Sequence, residues 1–452
     1  MKRIMDIKTD KVHRFSILTL GCKTNQSESD EIARRLSEAG IIYSANYLTS
    51  DVIIINTCTV TMASDSKVRQ LIRKIKKKNP GALLIVTGCY VILNHDFLEK
   101  ENIGKIFTNE QKQKIPDFVI KKLGDVIKPE IKSSKETFFS NLHTRQLVKI
   151  QDGCRQNCTY CIVPFVRNKY ISRDPERIIG EINLISQAGL EEIVLTGTHI
   201  GKYGIETNDK NEDFRINKTG IYNLKNLLEQ VLLKTDIKRI RLSSIEINEL
   251  SDELVEIIAG SERIAKHLHI PLQSGSDRIL KMMKRPYSTE SFSKRLNKIK
   301  SIIPDISLTT DVIVGFPDES EEDFYKTVNF IEKFLFSKVH VFRFSPRPGT
   351  AAGKMENQIS DNIKYYRAMF LRSYCDSIRK KYMEKFLKKQ VSVLVEKTDK
   401  KEMTASGMSE EYVKVMISLK NSRQAESVFQ GRIYSVFVTE ISERGLTGEL
   451  SE

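Results

Sequence analysis

Apolar and polar positions follow two successive patterns along the chain. In the N-terminal quarter, short runs of mostly β-branched apolar residues are separated by stretches of helical periodicity, the pattern of a parallel α/β sheet. The runs RFSILTLGC, DVIIINTC and ALLIVTGC, beginning at Arg14, Asp51 and Ala82, read as strands. SESDEIARRLSEAG, from Ser27, reads as a helix with a Ser cap, an acidic first turn and a terminal Gly. A basic helix follows Ser64, and its run from Lys67 to Gly81 reads as a solvated helix face. The polar stretch KKLGDVIKPEIKSSKETFFSNLHTR, from Lys121, has no clear period and reads as a linker.

From about Leu147 a longer alternation begins. Its strands read LVKIQDG, EEIVLTG, IKRIRLSS, HLHIPLQSG, SLTTDVIVGF and KVHVFRFSP, with helical stretches such as PERIIGEINLISQAG and SEEDFYKTVNFIEKF between them. Six βα units suggest a barrel or part of one. The segment GIETNDKNEDFRINKTG, from Gly204, reads as a polar surface loop. A Lys- and Tyr-rich helix starts near Lys364, and QVSVLVEK, EYVKVMIS and GRIYSVFVTEIS then read as a small β-barrel or sandwich. The predicted class is α/β: an N-terminal parallel sheet domain (12–125), a partial (β/α)6 barrel (140–372) and a small C-terminal β-barrel (383–447).

Composition narrows the class. With 452 residues, 40% hydrophobic and 29% charged, the chain is that of a globular protein of two or three domains. No apolar run approaches the ~18 residues of a membrane-spanning helix. The basic N-terminus has no apolar core of a signal peptide, so a cytoplasmic address without membrane association is expected. A formal charge of +15, from 73 Lys and Arg against 58 Asp and Glu, points to a polyanionic partner, nucleic acid first. A compositional habit rich in Lys, Ile and Asn is the alternative explanation.

Seven cysteines change the picture most. An odd count in a reducing compartment argues for metal or catalysis over a disulfide framework. Cys375 stands alone and reads as a small buried apolar residue. Cys154, Cys158 and Cys161 form C-x3-C-x2-C directly after a predicted strand. A structural zinc would need four ligands, and His143 and His199 lack finger-like spacing. Three thiolates from one loop can instead hold three irons of a cubane cluster and leave the fourth open to a small chelating ligand. Cys22, Cys58 and Cys89 lie far apart in sequence, yet each closes its strand in the same way: LTLGC, IINTC, IVTGC. Parallel strands joined by crossovers finish at one edge of the sheet, so these thiols emerge together. Gly21 and Gly88, each one residue before its Cys, would let backbone approach a cluster closely. Asn56 is read as tying down the turn.

C-x3-C-x2-C at the top of the first strand of a six-unit βα barrel resembles the radical S-adenosylmethionine (SAM) superfamily. The second thiol set, the N-terminal sheet and the C-terminal β-domain together resemble the methylthiotransferases over nearly the whole chain. The resemblance implies two [4Fe-4S] clusters, one binding SAM through Cys154, Cys158 and Cys161 and an auxiliary one on Cys22, Cys58 and Cys89. It implies a radical that takes hydrogen from the substrate, a C-terminal RNA-binding module like TRAM, a tRNA anticodon stem-loop as partner, and an electron donor of flavodoxin or ferredoxin type. TLGCKTNQSE, from Thr19, resembles the branch acting on threonylcarbamoyladenosine, whose product is the 2-methylthio derivative; branches acting on isopentenyladenosine or on a ribosomal protein are the alternatives. A cluster-bearing RNA-binding or redox-sensing protein is the non-enzyme alternative. An adenine C2–H has no acidic character, so no catalytic His or Asp is expected beyond the cluster ligands. Thr196, Gly197, Ser244, Gln273 and Gly315 are candidate SAM contacts at strand ends. Two departures from the family pattern stand beside that face: Asn168 and Asp318, each where glycine is usual.

Overall fold

The runs beginning at Arg14, Asp51 and Ala82 become strands because β-branched residues pack well on a pleated, buried surface. The computed structural model describes residues 12–124, 144–205 and 223–451. Most of the linker after Lys121 and of the polar loop after Gly204 lies outside them. The chain divides into two compact units, Met1–Ser134 and Lys135–Glu452.

The first unit is a parallel sheet of β1 (Arg14–Thr19), β2 (Ile42–Tyr43), β3 (Val52–Thr57), β4 (Leu83–Gly88) and β5 (Lys105–Phe107), in the order β2-β1-β3-β4-β5. The short edge strands β2 and β5 are additions to the expected set. Every position of β3 is buried, as a central strand covered on both faces requires. Helix Met62–Lys78 starts at Thr61, whose hydroxyl accepts the Ser64 N–H at 3.1 Å. Its Val68, Ile72 and Ile75 share a core with Ile53, Ile55 and Val86, while Lys67, Lys74 and Lys77 face solvent. In this strand order the crossover direction reverses between β1 and β3, and that switch point is where such sheets bind ligands.

The second unit begins with a half-open barrel: β6 (Gln146–Asp152), β8 (Glu192–Gly197), β9 (Arg239–Leu242), β10 (His267–His269), β11 (Ser307–Val314) and β12 (Lys338–Arg343). Successive pairs are parallel, β9 and the chain before β10 meeting at a single bridge, Ile240 to Ile264. A short strand β7 (Ile171–Ser172) lies antiparallel on β6. All six strands read from the sequence are present. Among the described residues β6 and β12 do not pair, so the barrel is open between them.

Alternate strand positions point to opposite sides. Ile150, Leu195, Leu242, Leu268 and Val312 pack outward against the helices, in one core with Ile182, Leu227, Phe292 and Ile331. Many of the positions between them turn inward and are polar, among them Gln151, Glu192, Arg241, His269, Asp311 and His340. Packed α/β barrels fill that space with branched apolar side chains. This interior is a hydrogen-bonding one.

At the N-terminal end of the strands a second barrel closes the first. It consists of β13 (Gln390–Asp399), β14 (Thr404–Ser409), β15 (Lys414–Ser418), β16 (Ile433–Ser442) and β17 (Gly445–Leu450), closed in the order β13-β14-β15-β17-β16. Strands β14 and β17 join the three expected. Fully buried Glu192 accepts from Arg239 at 3.1 Å and Arg241 at 3.0 Å. Burial opposes its charge, but Arg241 and Arg239 outweigh that and hold the carboxyl below its ordinary range. Arg241 then donates to the carbonyls of Glu410 at 2.8 Å and Ser409 at 3.3 Å, under the Tyr412 ring, which stacks on His267 at 4.9 Å.

Replacing Arg241 removes one of the two guanidinium partners of fully buried Glu192 and its donors to the β14 end. Arg241→Met is expected to cost about 3–5 kcal/mol. The check is hydrogen exchange, which should quicken in β13–β17 and stay unchanged in β1–β5.

Candidate functional site

In the first unit the register places Thr19 beside Asn56, Asn56 beside Thr87, and Thr57 beside Gly88. Cys58 and Cys89 therefore leave adjacent strands at one level, and Cys22 leaves β1 on the other side of β3. Close approach depends on two glycines with positive φ. A Cβ on Gly21 (φ +116) would lie 2.6 Å from the Cys58 Cβ, and one on Gly88 (φ +105) 2.3 Å from the Thr57 carbonyl oxygen. What these glycines admit is the neighbouring strand end. Asn56 is fully buried and donates to the Asn25 carbonyl at 2.7 Å and to the Ser29 hydroxyl at 3.0 Å, while Asn25 donates to the Thr57 carbonyl at 2.8 Å. Asn56 thus fastens the helix that follows Cys22 to the strand that carries Cys58. Burial pushes the Cys58 thiol up to about 11, with Cys89 and Cys22 adding to the effect as near neighbours. The Val60 N–H points at the Cys58 sulfur (3.5 Å) and the Asn109 amide at that of Cys89 (3.6 Å).

In the second unit C-x3-C-x2-C follows β6, and its loop is held rigid. A Cβ on Gly153 (φ +82) would run into the Lys169 carbonyl oxygen. Asp152 accepts two bonds from Arg167 at 2.6 Å and one from Thr198 at 2.9 Å, and the Cys154 N–H donates to the Arg167 carbonyl at 2.8 Å. Two charged donors reach the sulfurs. His199 Nδ1 lies 3.4 Å from Cys154 Sγ, while its Nε2 meets Glu249 at 2.8 Å. Burial disfavours its charge, but Cys154 and Glu249 outweigh that and hold the imidazole up at about 9. Arg285 Nη1 donates to Cys158 Sγ at 3.3 Å and pairs with half-buried Glu246. Cys161 is pushed up to about 12 by burial, with Cys158 and Cys154 contributing.

In neither set do all three sulfurs lie within 4.8 Å of one another. Zn–S bonds of 2.3 Å in a tetrahedron would bring them to about 3.8 Å. Three thiols from one set, with no fourth cysteine beside them, suit an iron–sulfur group with one iron left open. Cys375 is separate: it is buried in helix Asp361–Glu384, in the core with Leu371 and Ile378.

The other expected residues sit at strand ends with varied surroundings. Thr196 is buried at the end of β8, and Gly197 packs against the Gln151 carbonyl. Ser244 is exposed, whereas its neighbour Ser243 is buried with its hydroxyl unpartnered among the described residues. Gln273 has φ +66 and pairs with β11 through Asp311 and Ile313. The Gly315 N–H is taken by Glu319 at 2.6 Å, which Arg367 holds at 2.7 Å. The two departures are accommodated. Asn168 is exposed and outside the positive-φ residues. Asp318 does have φ +65, where glycine is easier, but its carboxylate meets Arg278 at 2.6 Å and its N–H donates to the Asn357 carbonyl at 2.8 Å.

Residues 148–331 match the Radical SAM superfamily, and residues 14–108 match the family described as Uncharacterized protein family UPF0004. The chain is 37% identical over 412 residues to the threonylcarbamoyladenosine tRNA methylthiotransferase MtaB of Bacillus subtilis, covering 88% of this chain and 89% of that one. The MtaB of Thermotoga maritima is 34% identical over 441 residues, 95% of each chain. The tRNA-2-methylthio-N(6)-dimethylallyladenosine synthase of Staphylococcus haemolyticus is 32% identical over 457 residues, 98% of this chain and 86% of that one. Among solved structures, the radical SAM methyltransferase TsrM of Kitasatospora setae aligns with a TM-score of 0.53 over 76% of this chain and 77% of its own, at 11% identity, a likeness of fold alone.

Raised thiols stay neutral and unreactive until the pH approaches their own range. In iron-free protein at pH 8, iodoacetamide should label exposed Cys22 well before Cys58 and Cys161, whose labelling should rise as the pH is taken toward 11. Mass spectrometry of the alkylated peptides measures the order.

Proposed function

The chain belongs to the radical-SAM tRNA methylthiotransferases, and from that premise we propose that it inserts a methylthio group at C2 of N6-threonylcarbamoyladenosine, just 3′ of the anticodon. The observation that carries the substrate is TLGCKTNQSE at the first thiol set, together with MtaB relatives at 37% and 34% identity. Relatives named dimethylallyladenosine synthases, at 32% over 98% of the chain, keep isopentenyladenosine as the second reading.

In this reading Cys154, Cys158 and Cys161 hold the SAM-binding [4Fe-4S] cluster, and Cys22, Cys58 and Cys89 hold an auxiliary one. When bound, these groups supply the hydrogen-abstracting radical and the site of sulfur transfer, which no side chain here could provide. The protein's own part is positional. Arg167 and Asp152 fix the thiol loop, Arg285 places positive charge at one of its sulfurs and the His199 imidazole stands at another, contacts that would lower the cost of adding an electron to a cluster held there. Thr196, Gly197, Gln273 and Gly315 stand at the strand ends where SAM would bind, and buried Ser243 joins Ser244 as a candidate. The excess of Lys and Arg suits phosphate contacts to the anticodon stem-loop. A tRNA substrate implies a cytoplasmic enzyme, supplied with electrons by a small flavodoxin- or ferredoxin-type donor.

Nucleoside mass spectrometry of tRNA from a deletion strain tests the substrate. The 2-methylthio-threonylcarbamoyl nucleoside should disappear while its unthiolated precursor accumulates. Persistence of that nucleoside with loss of the methylthio-isopentenyl one would move the enzyme to the second reading.

A further inference from the structure

Midway along the barrel interior, three polar side chains from adjacent strands converge outside both thiol sets. The register sets Asp311 of β11 directly beside His340 of β12, and His269 of β10 beside Thr309. Alternation then turns His269, Thr309, Asp311 and His340 to the same, inward face. His269 Nε2 lies 3.2 Å from Asp311 Oδ1, its Nδ1 lies 2.9 Å from the Thr309 hydroxyl, and the His269 and His340 rings are 5.7 Å apart. Nitrogen and oxygen atoms of His269, Asp311 and His340 fall within 4.8 Å of one another. The cluster is reachable: the His269 and Asp311 side chains keep 17% and 27% of their exposure. Two residues on from His340 along β12, and so on the same face, stands Phe342, 48% exposed on the strand that borders the barrel's opening.

These groups form a compact acceptor-and-donor patch beside an uncovered aromatic ring. The carboxylate accepts from an N–H or a hydroxyl, the imidazoles donate to a carboxylate or carbonyl, and the ring can stack on an unpaired base. We propose that His269, Asp311 and His340 form the subsite for the polar N6 substituent of the target adenosine, with Phe342 stacking on its base. The proposal rests on the threonylcarbamoyl reading above. A ureido-linked hydroxy acid supplies N–H donors, a hydroxyl and a carboxylate that match the patch. An isopentenyl group offers this polar patch neither a donor nor an acceptor, and sites built for hydrogen bonds reject such analogues strongly.

The test is fluorescence anisotropy with the full chain, its clusters reconstituted anaerobically, in buffer containing EDTA so that a divalent ion on the same three groups cannot produce the effect. The probes are one synthetic anticodon stem-loop carrying threonylcarbamoyladenosine and the same loop carrying isopentenyladenosine. The unaltered protein should bind the first at least about tenfold more tightly, and His340→Leu and Asp311→Asn should each cut that ratio to within about threefold. His340→Gln, which keeps a donor, should restore part of it. Phe342→Leu, an exposed change that does not threaten folding, should weaken both loops alike and leave the ratio standing. If either His340→Leu or Asp311→Asn keeps the full ratio, the subsite is overturned while the substrate reading stands. If the unaltered protein shows no preference, both fall together.

Discussion

In the first unit Cys22, Cys58 and Cys89 can act together only because consecutive strands run the same way. A parallel strand must be re-entered from its starting edge, so every strand of the set finishes at the opposite edge. Cys22, Cys58 and Cys89 use that rule across three strands of one sheet, with the strand-order reversal between β1 and β3 opening the crevice. Gly21 and Gly88 tighten the arrangement by letting strand ends approach more closely than any Cβ would permit. Cys154, Cys158 and Cys161 use one strand end alone, and the Arg167–Asp152 pair fixes their loop.

The second unit shows a polarity along its strands. At the N-terminal end, Glu192, Arg239 and Arg241 bind the small β-barrel through buried charge; at the C-terminal end, His199 and Arg285 turn charge toward thiol sulfur. The interior between them carries Asp311, His269 and His340 where branched apolar residues would give a packed core. A barrel lined in this way is less stable by itself than an apolar one, because each polar group must find a partner. That cost is reasonable only where the interior receives a polar guest.

Much of this was legible in the sequence. The strands carrying cysteines announce themselves as β-branched runs, and the six strands of the half-open barrel follow the expected order. Strands β2 and β5 were missed because two or three residues at a sheet edge carry no period. β14 is built from small residues, TASGMS, whose place is set by neighbours on both sides. His199, Glu249, Glu246 and Arg285 belong to loops far from the thiols in sequence, and only folding brings them close. Asp318 looked like a loss of glycine, whereas Arg278 and Asn357 supply partners for it in a strained position. One signal was present and unread: HLH, TTD and KVH each set a polar residue on the inward face of a buried strand.

The central claim is that two independent thiol sets on two sheets each hold a cluster. Iron and acid-labile sulfide, measured per chain after anaerobic reconstitution of Cys22→Ala and Cys158→Ala, test it most directly. Each variant should lose about four of about eight irons, with a different cluster's spectrum surviving in each. Loss of all the iron in either variant, or of none in Cys22→Ala, would contradict the account.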